Sequence, residues 1–361
     1  MTESPSLLLT VVSFLSAIGL LVTVHEWGHY AVGRLFGVRA EVFSIGFGPA
    51  IGGRTDRRGT RWQLAWLPLG GYVRFAGDMN PASVPAPGEG EPGTFQAARV
   101  WQRALIVLAG PAINVVFAIA IYAAVIAAMG LPSSPAIVSA VQAGSVAAQA
   151  GFRAGDHVLA INESAVDDFE DLTTTVRLRP DRPMVFTVER DGRTTRLSAT
   201  PRAVDLSDRF GNTSRVGQLG VAGATSFRSV PAWRLPDVAT VFAFKQLRAM
   251  VEAMGQLVRG ERPLDDLGGP VKIGKIAGES ASLGLLPFAF LLAALSLNLA
   301  FINLLPIPML DGGHLVFYAV EAARGRPADP AVMDWAFRGG LALVLAFFVF
   351  VTVNDVSSLI G

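Results

Sequence analysis

The segment His25-Glu26-Trp27-Gly28-His29 has residue types and spacing that suit metal-dependent hydrolysis. On a helix, positions four apart lie on one face, so His25 and His29 can bind one metal ion together. Glu26 lies about 100° around the helix from His25, close enough to reach a water molecule on that metal. A bound zinc ion lowers the pKa of its water to about 7, and a neighbouring carboxylate can accept the proton. The pattern therefore predicts a metal centre with Glu26 as general base.

The position of this motif argues for function over coincidence. A five-residue pattern often arises by chance, and in a soluble chain chance would be a serious alternative. Here the motif follows the apolar run from Leu7 to Val24 and continues it. An ionisable side chain in such a place is costly and marks a functional site by default.

A third ligand must come from elsewhere, because catalytic zinc usually has three protein ligands and one open position. The chain has four histidines and no cysteine, and His157 lies in a soluble region. The remaining candidates are Asp311 and His314 in the segment 303–314, where two prolines interrupt an apolar run. Irregular backbone at membrane depth is tolerated where protein buries it or it lines a cavity, so Asp311 can fold back to the histidines. The alternative is a plain Asp-Gly turn.

Taken together, the two motifs resemble those of the site-2 protease family, and within it the regulator of sigma-E protease branch. These are intramembrane zinc metalloproteases. The resemblance covers nearly the whole chain and rests on H-E-x-x-H, on N-x-x-P-x-P-x-x-D-G from Asn303, and on four further stretches. These stretches are VFSIGFGP at 42–49, LPLGGYVRFAGD at 67–78, RALIVLAGPAINVVFAI at 103–119 and GGPVKIGKIAGES at 268–280.

The resemblance implies a role for each site residue. His25, His29 and Asp311 would be the ligands of Zn²⁺, and Glu26 would be the general base. Asn303 would orient the substrate or stabilise the intermediate.

Two further sets of residues would contact the substrate. Asn114, in the second apolar stretch, would lie near the active site; the alternative is a hydrogen bond to a neighbouring helix. Trp62, Leu64 and Trp66 alternate before Gly70-Gly71, which predicts a β-hairpin with its turn at the two glycines. The family implies that this hairpin dips into the membrane and that its edge, including Tyr72 and Val73, pairs with an unwound substrate. The alternative is a small structural hairpin.

The composition predicts a membrane protein. About half of the 361 residues are hydrophobic and 16% are charged, against roughly a quarter in soluble proteins. A spanning helix needs roughly 20 mainly apolar residues, and four stretches qualify. They are Leu7–Val24, Ala104–Gly130, Leu285–Leu305 and Phe337–Val353. A net charge of +1 gives no indication of nucleic-acid binding.

Basic residues predict the orientation of the spans. The loop between the first two spans is rich in arginine, and the first twenty residues after the second span have none. Because basic loops stay inside, we expect this loop in the cytoplasm and both termini outside. Span parity then places the long region 131–283 outside. The predicted location is the inner membrane of a bacterium, with the active site near its cytoplasmic side.

The expected fold is a polytopic α-helical membrane protein with four transmembrane helices, a metalloprotease core and an inserted PDZ-like α+β domain. Its predicted parts are 1–130, the first half of the core; 131–202, the PDZ-like domain; 203–282, a linker with an amphipathic helix; and 283–361, the second half. A Pro/Gly-rich loop is expected at 80–93.

The PDZ-like prediction rests on strand-rich sequence around GSVAAQAGFRAGD at 144–156. Such a domain would bind peptides by strand addition, or would only restrict access to the membrane site. The well-known members of the branch carry two PDZ domains, and this chain has room for one. The amphipathic helix, 236–260, would lie on the outer membrane surface as a gate or pack against the PDZ-like domain.

These features favour a zinc endopeptidase that cuts single-pass membrane proteins within the bilayer. Anti-sigma factors and signal-peptide remnants are the substrates that the resemblance implies. A non-catalytic PDZ scaffold is disfavoured by Glu26, since a binding protein needs no general base. A metal-ion transporter is disfavoured because no chain of acidic and histidine residues crosses the predicted spans.

Overall fold

The computed structural model describes residues 5–78, 91–207, 213–224, 226–260 and 268–360. Most of the predicted Pro/Gly-rich loop, residues 80–90, lies outside the described residues.

Helices and strands are numbered here in chain order. The helices are α1 (Leu7–Leu35), α2 (Val100–Met129), α3 (Val146–Ala150), α4 (Phe169–Arg177), α5 (Leu235–Val258), α6 (Pro270–Ser282), α7 (Leu285–Asn303), α8 (Asp311–Arg324) and α9 (Pro330–Ile360). The strands are β1 (Ala40–Thr55), β2 (Arg61–Phe75), β3 (Leu131–Ser133), β4 (Val138–Val141), β5 (His157–Ile161), β6 (Ser164–Ala165), β7 (Met184–Arg190), β8 (Arg193–Ala199), β9 (Arg202–Ser207), β10 (Thr213–Gln218), β11 (Val221–Gly223) and β12 (Ser226–Arg228).

The chain forms two compact units. The first comprises Met1–Val125 and Trp233–Val356, and the second comprises Ile126–Ala232 with Ser357–Gly361. The second unit therefore extends some way beyond residue 202, where the sequence places the end of the PDZ-like domain. The reason is strand pairing, since β11 pairs with β4 and β12 pairs with β3.

Four helices of the described chain are long and apolar enough to cross a membrane. They are α1, α2, α7 and most of α9, with 19 to 30 residues each. They coincide with the four predicted stretches, but α1 continues to Leu35, well beyond the predicted end at Val24, and the fourth helix begins at Pro330, before the predicted start at Phe337. A protein with several such helices is an integral membrane protein.

Strands β1 and β2 are long and bent, and together they form a small sheet beside α1. Residues 42–45 of β1 are partnered twice by β2, by 61–64 and by 71–74. The expected hairpin is present, but its turn lies at 56–60 and not at Gly70-Gly71. β2 continues through the two glycines, because Gly70 with φ of +134° lets the strand bend where another residue would be strained.

Helix α6 packs closely on the first half of α1 through small residues. A methyl group added at Gly278 would collide with Thr10, and Gly274 faces Phe14. This small-xxx-small spacing is typical of helix contacts in membranes. The buried carboxylate of Asp355, on α9, accepts hydrogen bonds from the amides of Gly269, Val271 and Lys272 at the start of α6. It therefore caps a helix that has no side-chain cap of its own.

Helix α5 lies where the sequence predicts the amphipathic helix, but its apolar side packs within the first unit. Ala239 and Ala243 are fully buried, and the ring of Phe242 lies 4.9 Å from that of Tyr122 on α2 and 5.9 Å from that of Phe290 on α7. On the rest of the helix surface, Val241, Phe244 and Val251 are exposed.

The second unit has its own core between a four-stranded sheet and two short helices. The sheet has the strand order β6-β5-β7-β8, and its buried face is filled by Val158, Phe186 and Val188. The helices contribute Ala147 from α3 and Leu172 from α4. Helix α4 and the segment 216–222 border a groove of about 380 Å³.

Candidate metal centre and active site

Two glycines let α1 and α2 approach closely enough to place the histidines. A methyl group at Gly28 would collide with the carbonyl group of Ala109 on α2. One at Gly110 would collide with the imidazole of His29 and lie 2.9 Å from Cε1 of His25. The histidine face of α1 therefore packs directly on the backbone of α2.

The backbone of α2 orients the ring of His29. Nδ1 of His29 lies 2.9 Å from the carbonyl oxygen of Ile106. A carbonyl oxygen can only accept, so Nδ1 carries the proton and Nε2 has a free lone pair. Metal-binding histidines are commonly held in this way.

The buried side-chain amide of Asn114, which also lies on α2, contacts the ring of His25. Its Nδ2 lies 3.2 Å from Nδ1 of His25, while its Oδ1 has no hydrogen-bond partner among the described residues. Rotating the amide by half a turn lets Oδ1 accept the Nδ1–H of His25, which frees Nε2 as a ligand. The backbone oxygen of Asn114 accepts a hydrogen bond from Ser296 on α7. Asn114 therefore lies against His25 on the neighbouring helix, and it does not line the cavity that holds Glu26.

Asp311 reaches the histidines from the other end of the chain. It is the first residue of α8, after a tight loop in which Ile307 donates to Leu305 and Leu310 donates to Ile307. Met309 in this loop has φ of +96°, a strained conformation for a residue with a side chain. A methyl group at Gly340 on α9 would collide with Pro308, so α9 closes directly over the loop.

The three side chains converge at one point. Nε2 of His25 lies 3.1 Å from Nε2 of His29 and 3.1 Å from Oδ2 of Asp311. Nε2 of His29 lies 3.6 Å from Oδ1 of Asp311. Tetrahedral zinc with bonds of about 2.0–2.1 Å would separate its ligand atoms by about 3.3 Å. Oδ2 of Asp311 is buried and accepts no hydrogen bond within the part of the chain that the structure describes. The residues therefore fit a zinc ion.

Glu26 lies beside this cluster and contacts the sheet. Its Oε2 accepts a hydrogen bond of 3.0 Å from the backbone N–H of Val73 on β2. Glu26, His29 and Asp311 line a cavity of about 430 Å³ together with Tyr72 and Val73. The β2 edge and the metal cluster therefore share one cavity.

The other candidate residues are placed as follows. His314 lines the cavity but is not part of the three-ligand cluster. Gly71 lies close to the site, since a methyl group there would be 3.6 Å from Cγ of Glu26, whereas Gly70 packs on Phe47. Asn303 ends α7 and does not line the cavity.

A buried ion pair near the site has no sequence signal of its own. Nη2 of Arg103, at the start of α2, lies 2.7 Å from Oε1 of Glu321 on α8. The guanidinium group also lies 5.0 Å from the centre of the Tyr318 ring. The pair joins the helix that holds the histidine rings to the helix that begins with Asp311. Residues 218 positions apart cannot be paired from spacing alone.

Residues 13–347 match peptidase family M50, the family of the site-2 proteases. The chain belongs to this family. The predicted resemblance is thereby confirmed, and with it the class of metalloendopeptidase and the dependence on zinc.

The relatives agree with membership of family M50. A metalloprotease of Caulobacter vibrioides named MmpA is 40% identical in an alignment of 382 positions, gaps included. The alignment covers 97% of this chain and 96% of the relative. A protein of Agrobacterium fabrum that carries the provisional name zinc metalloprotease is 40% identical over 97% of this chain and 96% of its own length. A Rickettsia conorii protein with the same provisional name is 33% identical over 98% of this chain.

Among solved structures, the PDZ domain of an SdrC-like protein from Listeria monocytogenes matches 25% of this chain and 87% of its own length. The identity is 14% and the TM-score is 0.20.

Proposed function

We propose that this M50 protein is an intramembrane endopeptidase in which His25, His29 and Asp311 bind the zinc ion and Glu26 is the general base. The observation that carries the proposal is the convergence of three ligand side chains, whose nearest nitrogen and oxygen atoms are 3.1 to 3.6 Å apart, from helices at opposite ends of the chain. Zinc supplies a Lewis acid that activates water and polarises the scissile carbonyl group.

Glu26 accepts the proton of the attacking water and passes it to the leaving amine. The Val73 N–H fixes one oxygen of its carboxylate, and the carboxylate faces the cavity beside His29 and Asp311. The hydrogen bond also ties the base to the strand on which we expect the substrate to lie. Asn303 keeps its predicted role in orienting the substrate, although it does not line the cavity.

The substrate is an unwound segment of a single-pass membrane protein, which pairs with the edge of β2. A helix hides its own peptide bonds, so cleavage needs an extended segment, and a strand edge can hold one. N–H groups alternate in direction along a strand, so Gly71 and Phe75 point theirs to the same side as Val73. That side faces Glu26. Anti-sigma factors and signal-peptide remnants are the proposed substrate types.

The protein is proposed to lie in the bacterial inner membrane, with the zinc site near the cytoplasmic side and the PDZ-like unit on the periplasmic side. The arginine-rich first loop supports this orientation. The groove between α4 and the segment 216–222 favours peptide binding by the PDZ-like unit, because it is large enough to hold several side chains.

The Glu26→Gln variant tests the function. It keeps the three ligands and removes the base, so zinc content should stay at wild-type level while cleavage falls about 10²–10⁴-fold. The measurement is metal analysis together with cleavage of a single-pass substrate in vesicles. Wild-type turnover by this variant would refute the general base, whereas absence of cleavage by the zinc-loaded wild type would favour the alternative of a PDZ-containing membrane scaffold.

A further inference from the structure

A second cavity lies on the other side of the α1–α2 contact from the metal cluster. It is a groove of about 410 Å³ between the two helices and the sheet. Its walls include Trp27 of α1, Ile113 and Val116 of α2, and Phe43 and Trp62 of the sheet. Trp27 belongs to the H-E-x-x-H segment but takes no part in the metal cluster.

The groove is apolar, and the polar atoms of two lining residues are used elsewhere. The hydroxyl group of Thr23 donates to the carbonyl oxygen of Gly19 in its own helix, at 2.6 Å. The indole N–H of Trp62 donates to Asp56 Oδ2 at 3.0 Å. The lining side chains are otherwise aliphatic or aromatic. A cavity of this kind does not hold ordered water, which needs two to four polar partners.

The groove lies at the depth of the hydrocarbon core. Ile113 and Val116 are near the middle of α2, which has 30 residues and is a candidate span. Trp27 and Val116 are each about half exposed, so the groove is open to its surroundings. Its surroundings at this depth are lipid chains and other membrane-spanning segments.

The size of the groove decides between these two occupants. A helix with side chains is about 10–12 Å wide and rises 5.4 Å per turn, so one turn occupies about 420–610 Å³. The groove therefore holds no more than about one turn of a substrate helix. A single acyl chain is narrower and flexible, and its chemistry matches the walls. We propose that this groove is a binding site for one acyl chain of a membrane phospholipid.

The site is independent of the proteolytic function, since it shares no residue with the metal cluster. The acyl chain packs against Phe43, which is buried and pairs with Val73 across the sheet. It fills the open groove between the sheet and the helices.

Quenching of tryptophan fluorescence by a brominated phospholipid tests the proposal. The probe is full-length, zinc-loaded, delipidated protein in detergent that keeps Trp27 and Trp62, with the other four tryptophans replaced by phenylalanine. Quenching should saturate near one lipid per protein. A control with Phe347→Trp as its sole tryptophan, on the exposed face of α9, should show quenching that follows the lipid fraction of the micelle without saturation.

Filling the groove should weaken the saturable quenching. Ala120→Phe adds a ring to the groove wall and should raise the half-saturating lipid concentration at least tenfold, and Val116→Phe should do the same. Ala342→Phe, a matched change at an exposed position of α9, should leave it unchanged. Retained zinc shows that each variant is folded.

Three outcomes would overturn the proposal. One is quenching of Trp27 and Trp62 that resembles the Phe347→Trp control. Another is a half-saturating lipid concentration that neither groove-filling variant raises. The third is saturable quenching by a brominated transmembrane peptide that excludes the lipid, which would assign the groove to a substrate helix.

Discussion

Asp311, at the start of α8, is the third ligand of the proposed zinc site. Its removal should therefore lower the affinity for zinc. Asp311→Ala leaves only two ligands, which we expect to lower zinc content and cleavage together. Removing a residue that only hydrogen-bonds to a metal ligand typically lowers metal affinity about 10–100-fold. Removing the ligand Asp311 itself should lower zinc affinity by more than that. His314→Ala should keep most of the zinc, because His314 lines the cavity outside the three-ligand cluster.

Metal analysis of both purified variants, after dialysis against the same weak chelator, makes the comparison. Greater zinc loss in His314→Ala than in Asp311→Ala would move the third ligand to His314.

The candidate site residues could be named from sequence because their types and spacing are specific. The partners that orient them could not. Ile106 acts on His29 through its carbonyl oxygen, which every residue has, so the side chain gives no signal. Asn114 was placed near the site by resemblance, but its contact with His25 depends on the close approach of two helices at Gly28 and Gly110.

Strand β2 holds the general base through a single backbone donor, and proline can remove it. Val73→Pro deletes the N–H that Glu26 accepts, so cleavage should fall with zinc retained. The neighbouring Arg74 points its N–H to β1, so Arg74→Pro should reduce folding instead. Cleavage rates, zinc content and thermal stability of the two variants separate these effects.

Substrates with helix-breaking residues give the control for Val73→Pro. If the strand only unwinds substrates, cleavage of these substrates should be spared in the variant. We expect them to be affected as well, because Glu26 has lost its hydrogen bond; full sparing would argue against a role of Val73 in orienting the base.

The Arg103–Glu321 pair fixes α8 against α2, and with it the direction from which Asp311 enters the site. Arg103→Met leaves a buried carboxylate unpaired, which should cost about 3–5 kcal/mol of stability. Arg103→Met with Glu321→Leu removes both charges and should regain most of that stability. The double variant should still retain less zinc than wild type. Apolar contacts between α8 and α2 lack the directional hydrogen bond of the ion pair, so they hold Asp311 less firmly in position.

Chelator competition and thermal unfolding, followed on the same samples, test this prediction. A double variant that holds zinc as tightly as wild type would reduce the ion pair to a structural contact.

At this scale the apolar stretches predict the spanning helices well, because length and hydropathy alone decide whether a segment can cross a bilayer. The path of β2 was harder to predict. Gly70-Gly71 is typical of a turn. In the structure, however, the two parts of β2 before and after the glycines both pair with residues 42–45 of β1, and β2 bends through the glycines. Long-range pairing thus overrides the local turn preference.

The stability of the second unit should fall in acid. Asp156 of the second unit is fully buried against Arg190, at 2.7 Å. Burial alone would raise its pKa, but the hydrogen bonds and charge of Arg190 and the amide of Arg153 outweigh burial and hold the pKa below the ordinary value for aspartate. The native state therefore favours the ionised form, which stabilises the unit above about pH 4. This stabilisation is lost as the pH falls through the lowered pKa.

Scanning calorimetry of the full chain between pH 3 and pH 6 checks this prediction. The transition of the second unit should move to lower temperature on acidification. Asp156→Asn should be less stable at pH 6 and less sensitive to pH. An equal response to acid in wild type and variant would assign the sensitivity to other carboxyl groups.

The pairing of β3 with β12 brings the two ends of the second unit's main segment together, as in an inserted domain. Leu131 pairs with Arg228 and Ser133 with Ser226, so the chain enters and leaves the unit through neighbouring strands. Strands in a ladder lie about 4.8 Å apart, and an insertion with such close ends can be gained, lost or duplicated with little change to its host. The number of such inserted units can therefore vary while the rest of the chain keeps its fold.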